Sequence, residues 1–412
     1  MMKIILSHPT GNANVRAAAI GVNRAGLLDE FYTSIAVFPG DQLSKLAQFG
    51  GPFAELTRRS FDVELKDNTV SWPVWEIARL LSAKAGLKYL TKHEKGFFCV
   101  DAVYKYLDLK TARRLEAKVK EIGAVYAYED GALYSFETAK KIGLACYYDL
   151  PIGYWRAARR LMEIELEKWP EWAGTLTGFK DSQEKLSRKD KELKLADRIF
   201  VASTFTAKTL KEYPDKIGPV DIVPYGFPDV GDPKEYSVAK PLKVLFVGGL
   251  SQRKGIAYLF EAAEKLKDAI ELTLVGHKPV EGCLPLNFGL KKHKWIPSLP
   301  HKEILKLMRV HDVLVFPSLF EGFGLVITEA MSQGTPVITT DRTAGPDLIE
   351  HGRNGWIIKA GSSESLIEIF EYLLEYPNQI SLAGKEAWQT AKMRPWYVYG
   401  QELAERINLK TL

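Results

Sequence analysis

Short apolar runs alternate along the chain with glycine-rich polar turns and with segments of helical spacing. Residues 3–6, 124–127, 144–148, 199–202 and 220–223 in the first half are such runs, and each reads as a buried strand. Residues 242–247, 272–275, 294–296, 313–316 and 336–340 repeat the pattern in the second half. Helical spacing is predicted over 15–25 with Asn14 as its cap, and over 133–142 ending at Gly143. It is predicted also over 75–95, over 156–198 with a break at 169–172, and over 394–409. Strands alternating with helices predict an α/β chain with parallel, doubly wound sheets.

The most legible unit is residues 313–340. A strand enters a loop at Pro317, Ser318 and Gly322, and helical spacing resumes at Leu325, Ile327, Ala330 and Met331. Gly334 closes the helix and a second strand follows. Ligands of such sheets bind outside the carboxyl ends of the strands, where the loop Glu321-Gly322-Phe323-Gly324 lies. Its glycines leave backbone N–H groups open to a ligand, and the helix start favours an anion such as a diphosphate. Glu321 and Glu329 supply carboxylates, which accept paired hydrogen bonds from vicinal hydroxyls. A bare pair of glutamates is otherwise a helix cap and a solvated helix residue. A comparable site opens the second half: the strand at 242–247 runs into Gly248-Gly249, then Arg253-Lys254-Gly255 at a helix start. Two cations beside a glycine turn form a diphosphate site in miniature.

Length and composition add limits. A chain of 412 residues exceeds one ordinary core and predicts two domains. With 46% hydrophobic and 26% charged residues it reads as a soluble globular protein. Cys99, Cys146 and Cys283 form neither a disulfide framework nor a metal spacing, which favours a reducing, cytoplasmic compartment. No apolar run reaches the ~18 residues of a membrane span, and the segment before Leu6 is short for a secretory signal. A net charge of +5 is too mild to argue for nucleic acid.

The order Pro-Ser, Glu, Gly-Phe-Gly, Glu-Ala and Gly-x-Pro-Val closely resembles the E-x7-E signature of the retaining GT-B glycosyltransferases of family four. Arg253-Lys254-Gly255 resembles the family's diphosphate turn. The resemblance covers nearly all of the second domain, and the first from about residue 124. It implies two Rossmann-like domains facing each other across a cleft: an acceptor domain over 1–232, a donor domain over 233–393, and a helix over 394–412 crossing back. Residues 228–241 read as the linker. The implied reaction moves a sugar from a nucleotide-diphosphate-sugar to a hydroxyl of a carbohydrate or lipid-linked acceptor, with retention. The implied setting is polysaccharide, lipopolysaccharide or glycolipid synthesis.

The resemblance places Gly248, Gly249, Arg253, Lys254, Glu321, Gly322, Phe323, Gly324, Leu325 and Glu329 around the donor, with Gly11 opposite. Glu321, Asp149, Lys254 and Arg253 would serve catalysis, and Asn12 and Asp130 the acceptor. Neither a metal nor a cofactor beyond the donor is implied. Three positions depart from the family: Asp149 where histidine is common, Tyr225 for an asparagine, and Gly249 for an arginine. Acidic residues at neighbouring strand ends, Glu129 or Asp130 and Asp149, are expected to converge on the cleft. His8 reads as an ordinary loop residue. Lys84, Lys88 and Lys92 recur every four residues, a stripe that suits an anionic membrane, an anionic acceptor or plain solvent. The other readings are a GT-B epimerase or phosphorylase, and a sugar-nucleotide-binding protein without activity.

Overall fold

The structure is a computed structural model that describes residues 3–48, 54–236 and 241–409. In the first half the strands are β1 (Lys3–Ser7), β2 (Leu28–Thr33), β3 (Thr69–Ser71), β4 (Ile122–Tyr128), β5 (Ala145–Leu150), β6 (Arg198–Val201) and β7 (Val220–Ile222). They form one sheet in the order β3-β2-β1-β4-β5-β6-β7. In the second half β8 (Leu242–Val247), β9 (Ile270–Val275), β10 (Lys294–Ile296), β11 (Val313–Phe316), β12 (Val337–Thr340) and β13 (Gly355–Ile358) order as β10-β9-β8-β11-β12-β13. Neighbouring strands pair in parallel in both sheets. Helices cover the faces, so β11 and β12 are buried at every residue, and their unbroken apolar runs follow from that. Strand order reverses between β1 and β4, and again between β8 and β11. These two switch points are where such sheets open a crevice.

Several contacts hold the halves together, among them the following. Helix Trp396–Asn408 lies across helix Ala13–Arg24, backbone against backbone, and a Cβ on Gly21 would sit 2.5 Å from Gly400 Cα. Arg394 anchors its entry by donating to Pro224 O at 2.5 Å and to Glu402 at 2.8 Å, while Phe227 N–H donates to Arg394 O at 2.8 Å. Helix Trp155–Lys168, of the first half, docks on the second half through a buried carboxylate. Glu165 accepts from Gln252 Nε2 at 2.8 Å and from the Tyr258 hydroxyl at 3.0 Å.

Three local expectations are corrected. Helix Ala13–Arg24 starts at Asn12, and Asn14 is inside it, donating to the Tyr225 hydroxyl at 3.2 Å instead of capping. The helix expected over 75–95 is Val74–Lys84, after which Gly86 turns the chain at φ +70°. Lys88 and Lys92 therefore lie beyond the helix and share no helical stripe with Lys84. The strands β2, β3 and β13 were not anticipated.

Candidate functional site

At the switch point of the second sheet, β8 and β11 lie side by side and their following loops meet. The chain leaves β8 through Gly248, at φ +152°, and Gly249, where an added Cβ would find no atom within 4 Å. Arg253 and Lys254 form the short turn Gln252–Lys254, closed by Gly255 at φ +74° against the Pro317 carbonyl. The loop after β11 brings Glu321 to both cations. Lys254 Nζ and Glu321 Oε2 form a tight ion pair, and Arg253 Nη1 stands 3.3 Å from the same oxygen and donates to Phe320 O at 2.7 Å. Burial works to raise the Glu321 carboxyl, but Lys254 and then Arg253 outweigh it and hold it below the usual range. Lys254 is pushed down by burial, with Glu321 opposing; its ammonium also lies 4.6 Å from the Phe316 ring centroid.

The loop's first glycine, Gly322, also has a neighbour that the sequence did not suggest. A Cβ on Gly322 would overlap Pro151 O and lie 2.6 Å from Ile152 Cα, so the close neighbour is the first domain's backbone. Gly322 O accepts from Ser203 Oγ at 2.5 Å and from Thr206 Oγ1 at 2.9 Å. Ser203 also caps helix Thr204–Thr209, and Asp347 takes the Thr204 N–H at 2.9 Å. Gly324, at φ +89°, leads into helix Leu325–Ser332. The Phe323 ring is buried against Tyr225, centroids 4.8 Å apart, so only its backbone can face a ligand. Glu329, part-exposed on that helix, meets His301 Nε2 at 3.0 Å. Sequence reasoning missed His301; its only signal is its place after Pro300 at the start of helix His301–Val310. The hydrogen bond to Glu329 raises the His301 pKa, against burial.

In the first domain the expected convergence of acids does not occur. Successive residues of a strand point to opposite faces. Tyr148 donates to Glu192 on one face, at 3.2 Å. On the other, Asp149 accepts from the Tyr126 hydroxyl at 2.5 Å. Asp149 is only 3% exposed, and burial raises its pKa to about 7 against the Tyr126 bond. A catalytic part for Asp149 that touches substrate does not fit this placement. Glu129 and Asp130 turn instead to helix Gln183–Leu195, where Lys189 reaches Glu129 at 3.1 Å and Arg188 reaches Asp130 at 2.8 Å. Burial works to raise Asp130, yet Lys189, Lys185 and Arg188 together hold it low. The acceptor expectation for Asp130 thus meets a carboxylate already engaged by cations. Asn12 is exposed at the end of the β1 loop, and Gly11 is buried beside the Phe61 ring. His8 is not an ordinary loop residue. It is buried, hydrogen-bonded to Thr10 and set edge-on to Tyr128 at 4.6 Å, and burial lowers its pKa to about 4.

Among the described residues, one group has the spacing of metal ligands: His93, Glu94 and Asp181. Lys185 Nζ stands 3.5 Å from Asp181 and disfavours a cation there. None of the three belongs to the glycine turns.

Residues 232–388, most of the second domain, match the family described as glycosyl transferases group 1. The amylovoran biosynthesis glycosyltransferase AmsK of Erwinia amylovora is 30% identical over 143 residues, which are 32% of this chain and 35% of that protein. The sulfoquinovosyl transferase SQD2 of Arabidopsis thaliana is 29% identical over 160 residues, 38% of this chain and 31% of its own length. The chain thus spans about a third of these relatives. Solved structures align over nearly the whole chain. HepE of Anabaena, in complex with UDP and glucose, gives a TM-score of 0.63 at 17% identity, covering 99% of each chain. The sucrose-phosphate synthase of Thermosynechococcus elongatus gives 0.66 at 16%, covering 99% of this chain and 98% of its own. The fold is GT-B: two parallel-sheet Rossmann-like domains, joined as described above.

Proposed function

We propose that the protein transfers a glycosyl group from a nucleoside-diphosphate sugar to an acceptor hydroxyl, with retention and without a metal. The observation that carries this reading is the convergence of Arg253 and Lys254 on Glu321 at the switch point between β8 and β11. Two cations and a helix start face the place where a leaving diphosphate gains charge. In the reaction the bond from the anomeric carbon to the diphosphate oxygen breaks. A bond to the acceptor oxygen forms on the same face, and the hydroxyl proton goes to the departing phosphate. Arg253 and Lys254 offset the diphosphate, with the backbone of Gly248, Gly249 and Gly322–Leu325 alongside. Glu321 holds the sugar and Glu329 the ribose, where His301 now orients it. Gly11 faces the donor from the first domain, and Asn12 the acceptor. Asp149 takes no step that touches substrate. The coarse reading is supported by the group 1 family match, and the donor class by the UDP in HepE. A role in polysaccharide or glycolipid synthesis is supported by relatives such as AmsK.

The test is a melting screen against UDP-, GDP- and ADP-sugars. A donor at 100 times its Kd stabilises the fold by about 2.7 kcal/mol. Calorimetry then separates the glutamates. Glu329→Gln should weaken the free nucleoside diphosphate, whereas Glu321→Gln should spare it and lower turnover of the whole donor. NMR of the product should show the donor's anomeric configuration kept. No shift with any donor overturns the reading; binding without hydrolysis or transfer would favour the inactive binding protein.

A further inference from the structure

Helix Val74–Lys84 is inverted. Its buried side chains are Glu76 and Ser82. Glu76, at 2% exposure, is held inward by Arg59 at 2.6 Å and by Arg79 at 2.7 and 2.8 Å. Val74, Ile77 and Leu81 share one stripe by their spacing, and all three face outward, Leu81 at 61% exposure. Exposed apolar residues recur along the chain past the helix. Leu87, Tyr89 at 69%, Phe97 at 64% and Val100 are exposed, and the Phe97 ring lies 4.9 Å from that of Trp75. Lys84, Lys88, Lys92 and Lys95 are exposed among them. The neighbouring acids are engaged elsewhere: Glu94 accepts from Ser182 N at 2.9 Å, and Asp101 pairs with Lys185 at 2.9 Å and Arg188 at 3.4 Å.

Single exposed apolar residues are ordinary, but seven within residues 74–100, interleaved with exposed lysines, mark an interaction surface. Apart from Glu94, which Ser182 engages, the unburied charges of residues 74–100 are positive, which selects an anionic partner. Lysine stems lie along apolar matter while their heads stay in water, and tyrosine suits a boundary that is apolar on one side and wet on the other. The helix is 11 residues long, roughly 16 Å, against a hydrocarbon core of about 30 Å. It can lie in the boundary and cannot span it.

We propose that this face docks on an anionic bilayer, with Leu81, Leu87, Tyr89 and Phe97 entering the boundary between headgroups and acyl chains. The lysines meet the anionic headgroups. This goes beyond the glycosyl-transfer reading and is tested apart from it, since nothing below reads nucleotide binding.

The experiment is flotation of the full chain with vesicles of phosphatidylcholine alone, or of phosphatidylcholine and phosphatidylglycerol in equal parts. The wild type should partition at least tenfold more strongly to the anionic vesicles. Each lysine near such a surface contributes about fivefold, so Lys84→Gln with Lys88→Gln and Lys92→Gln should lose on the order of a hundredfold. Leu81→Gln with Tyr89→Ser should lose roughly tenfold, and should keep that loss at high salt, where charge is screened. All three native cysteines are buried. Tyr89→Cys therefore offers one accessible thiol for an NBD dye, whose emission should rise on insertion. The proposal is overturned if the wild type ignores anionic vesicles, or if the dye stays in water while the protein floats. It is overturned equally if Leu81→Gln with Tyr89→Ser abolishes a self-association in solution and leaves flotation unchanged, because a second copy then covers the patch.

Discussion

Gly322 and Gly249 look alike in the sequence, and the structure gives them opposite surroundings. Alanine at Gly322 would place its methyl 2.6 Å from Ile152 Cα and 2.7 Å from the Pro151 carbonyl carbon. Carbon atoms rest at about 3.5–4.0 Å, so the two loops must part by roughly 1 Å. The Ser203 and Thr206 bonds to Gly322 O, now 2.5 and 2.9 Å, would stretch to the edge of hydrogen bonding. Two such bonds are worth about 1 kcal/mol each, and the overpacking costs about 1–3 kcal/mol. Gly322→Ala should therefore lose roughly 3–5 kcal/mol, seen as a melting point several degrees lower or as a separate, earlier transition of one domain. Gly249→Ala meets no atom within 4 Å and should melt with the wild type. Its methyl instead occupies the space that the proposed diphosphate approaches, so nucleoside diphosphate binding should fall at least tenfold in calorimetry. The reasoning is refuted if Gly322→Ala melts like the wild type, or if Gly249→Ala binds the nucleotide normally.

Two further outcomes follow from the charges at the site. Lys254→Ala should keep the fold, because Arg253 still faces Glu321, and should slow turnover about a hundredfold, the loss of one partner worth on the order of 3 kcal/mol; unchanged kinetics in the folded variant would remove Lys254 from the leaving-group role. The Asp149 pKa is raised from 3.8 to about 7 in the folded state, so the folded chain binds the extra proton and this group's contribution to stability declines as pH rises between those values, at about 1.4 kcal/mol per pH unit, then levels off. Asp149→Asn keeps an acceptor for Tyr126 and should remove that decline, making the variant the more stable of the two at pH 8; parallel denaturation curves for the two proteins across this range would contradict it.

What the sequence revealed was whatever a short window decides. The unit from β11 through Leu325–Ser332 to β12 is legible because burial on both faces forces continuous apolar runs, and Gly143 and Gly334 end their helices at φ +79° and +72° as a local cap requires. Strand β2 was hidden because Asp29 and Glu30 interrupt its apolar run; they are tolerated through Lys118 at 2.7 Å and Arg114 at 2.8 Å, some 85 residues away along the chain. In helix Val74–Lys84 likewise, Arg59, outside the helix, draws Glu76 inward while Val74, Ile77 and Leu81 face outward, which a short window does not decide. The site divides along that line. Arg253, Lys254 and Glu321 could be named from motif because each stands at a fixed offset from its own strand end, and adjacent strands then bring the offsets together. Asp149 and Asp130 also stand at strand ends, but their environments are set by what packs on each face, Tyr126 for one and Arg188 for the other. A strand end fixes where a carboxylate begins; only the packed faces decide whether it meets solvent, a cation or a tyrosine. That is why the meeting of Arg253, Lys254 and Glu321 was readable at the level of single residues and the surroundings of Asp149 and Asp130 were not.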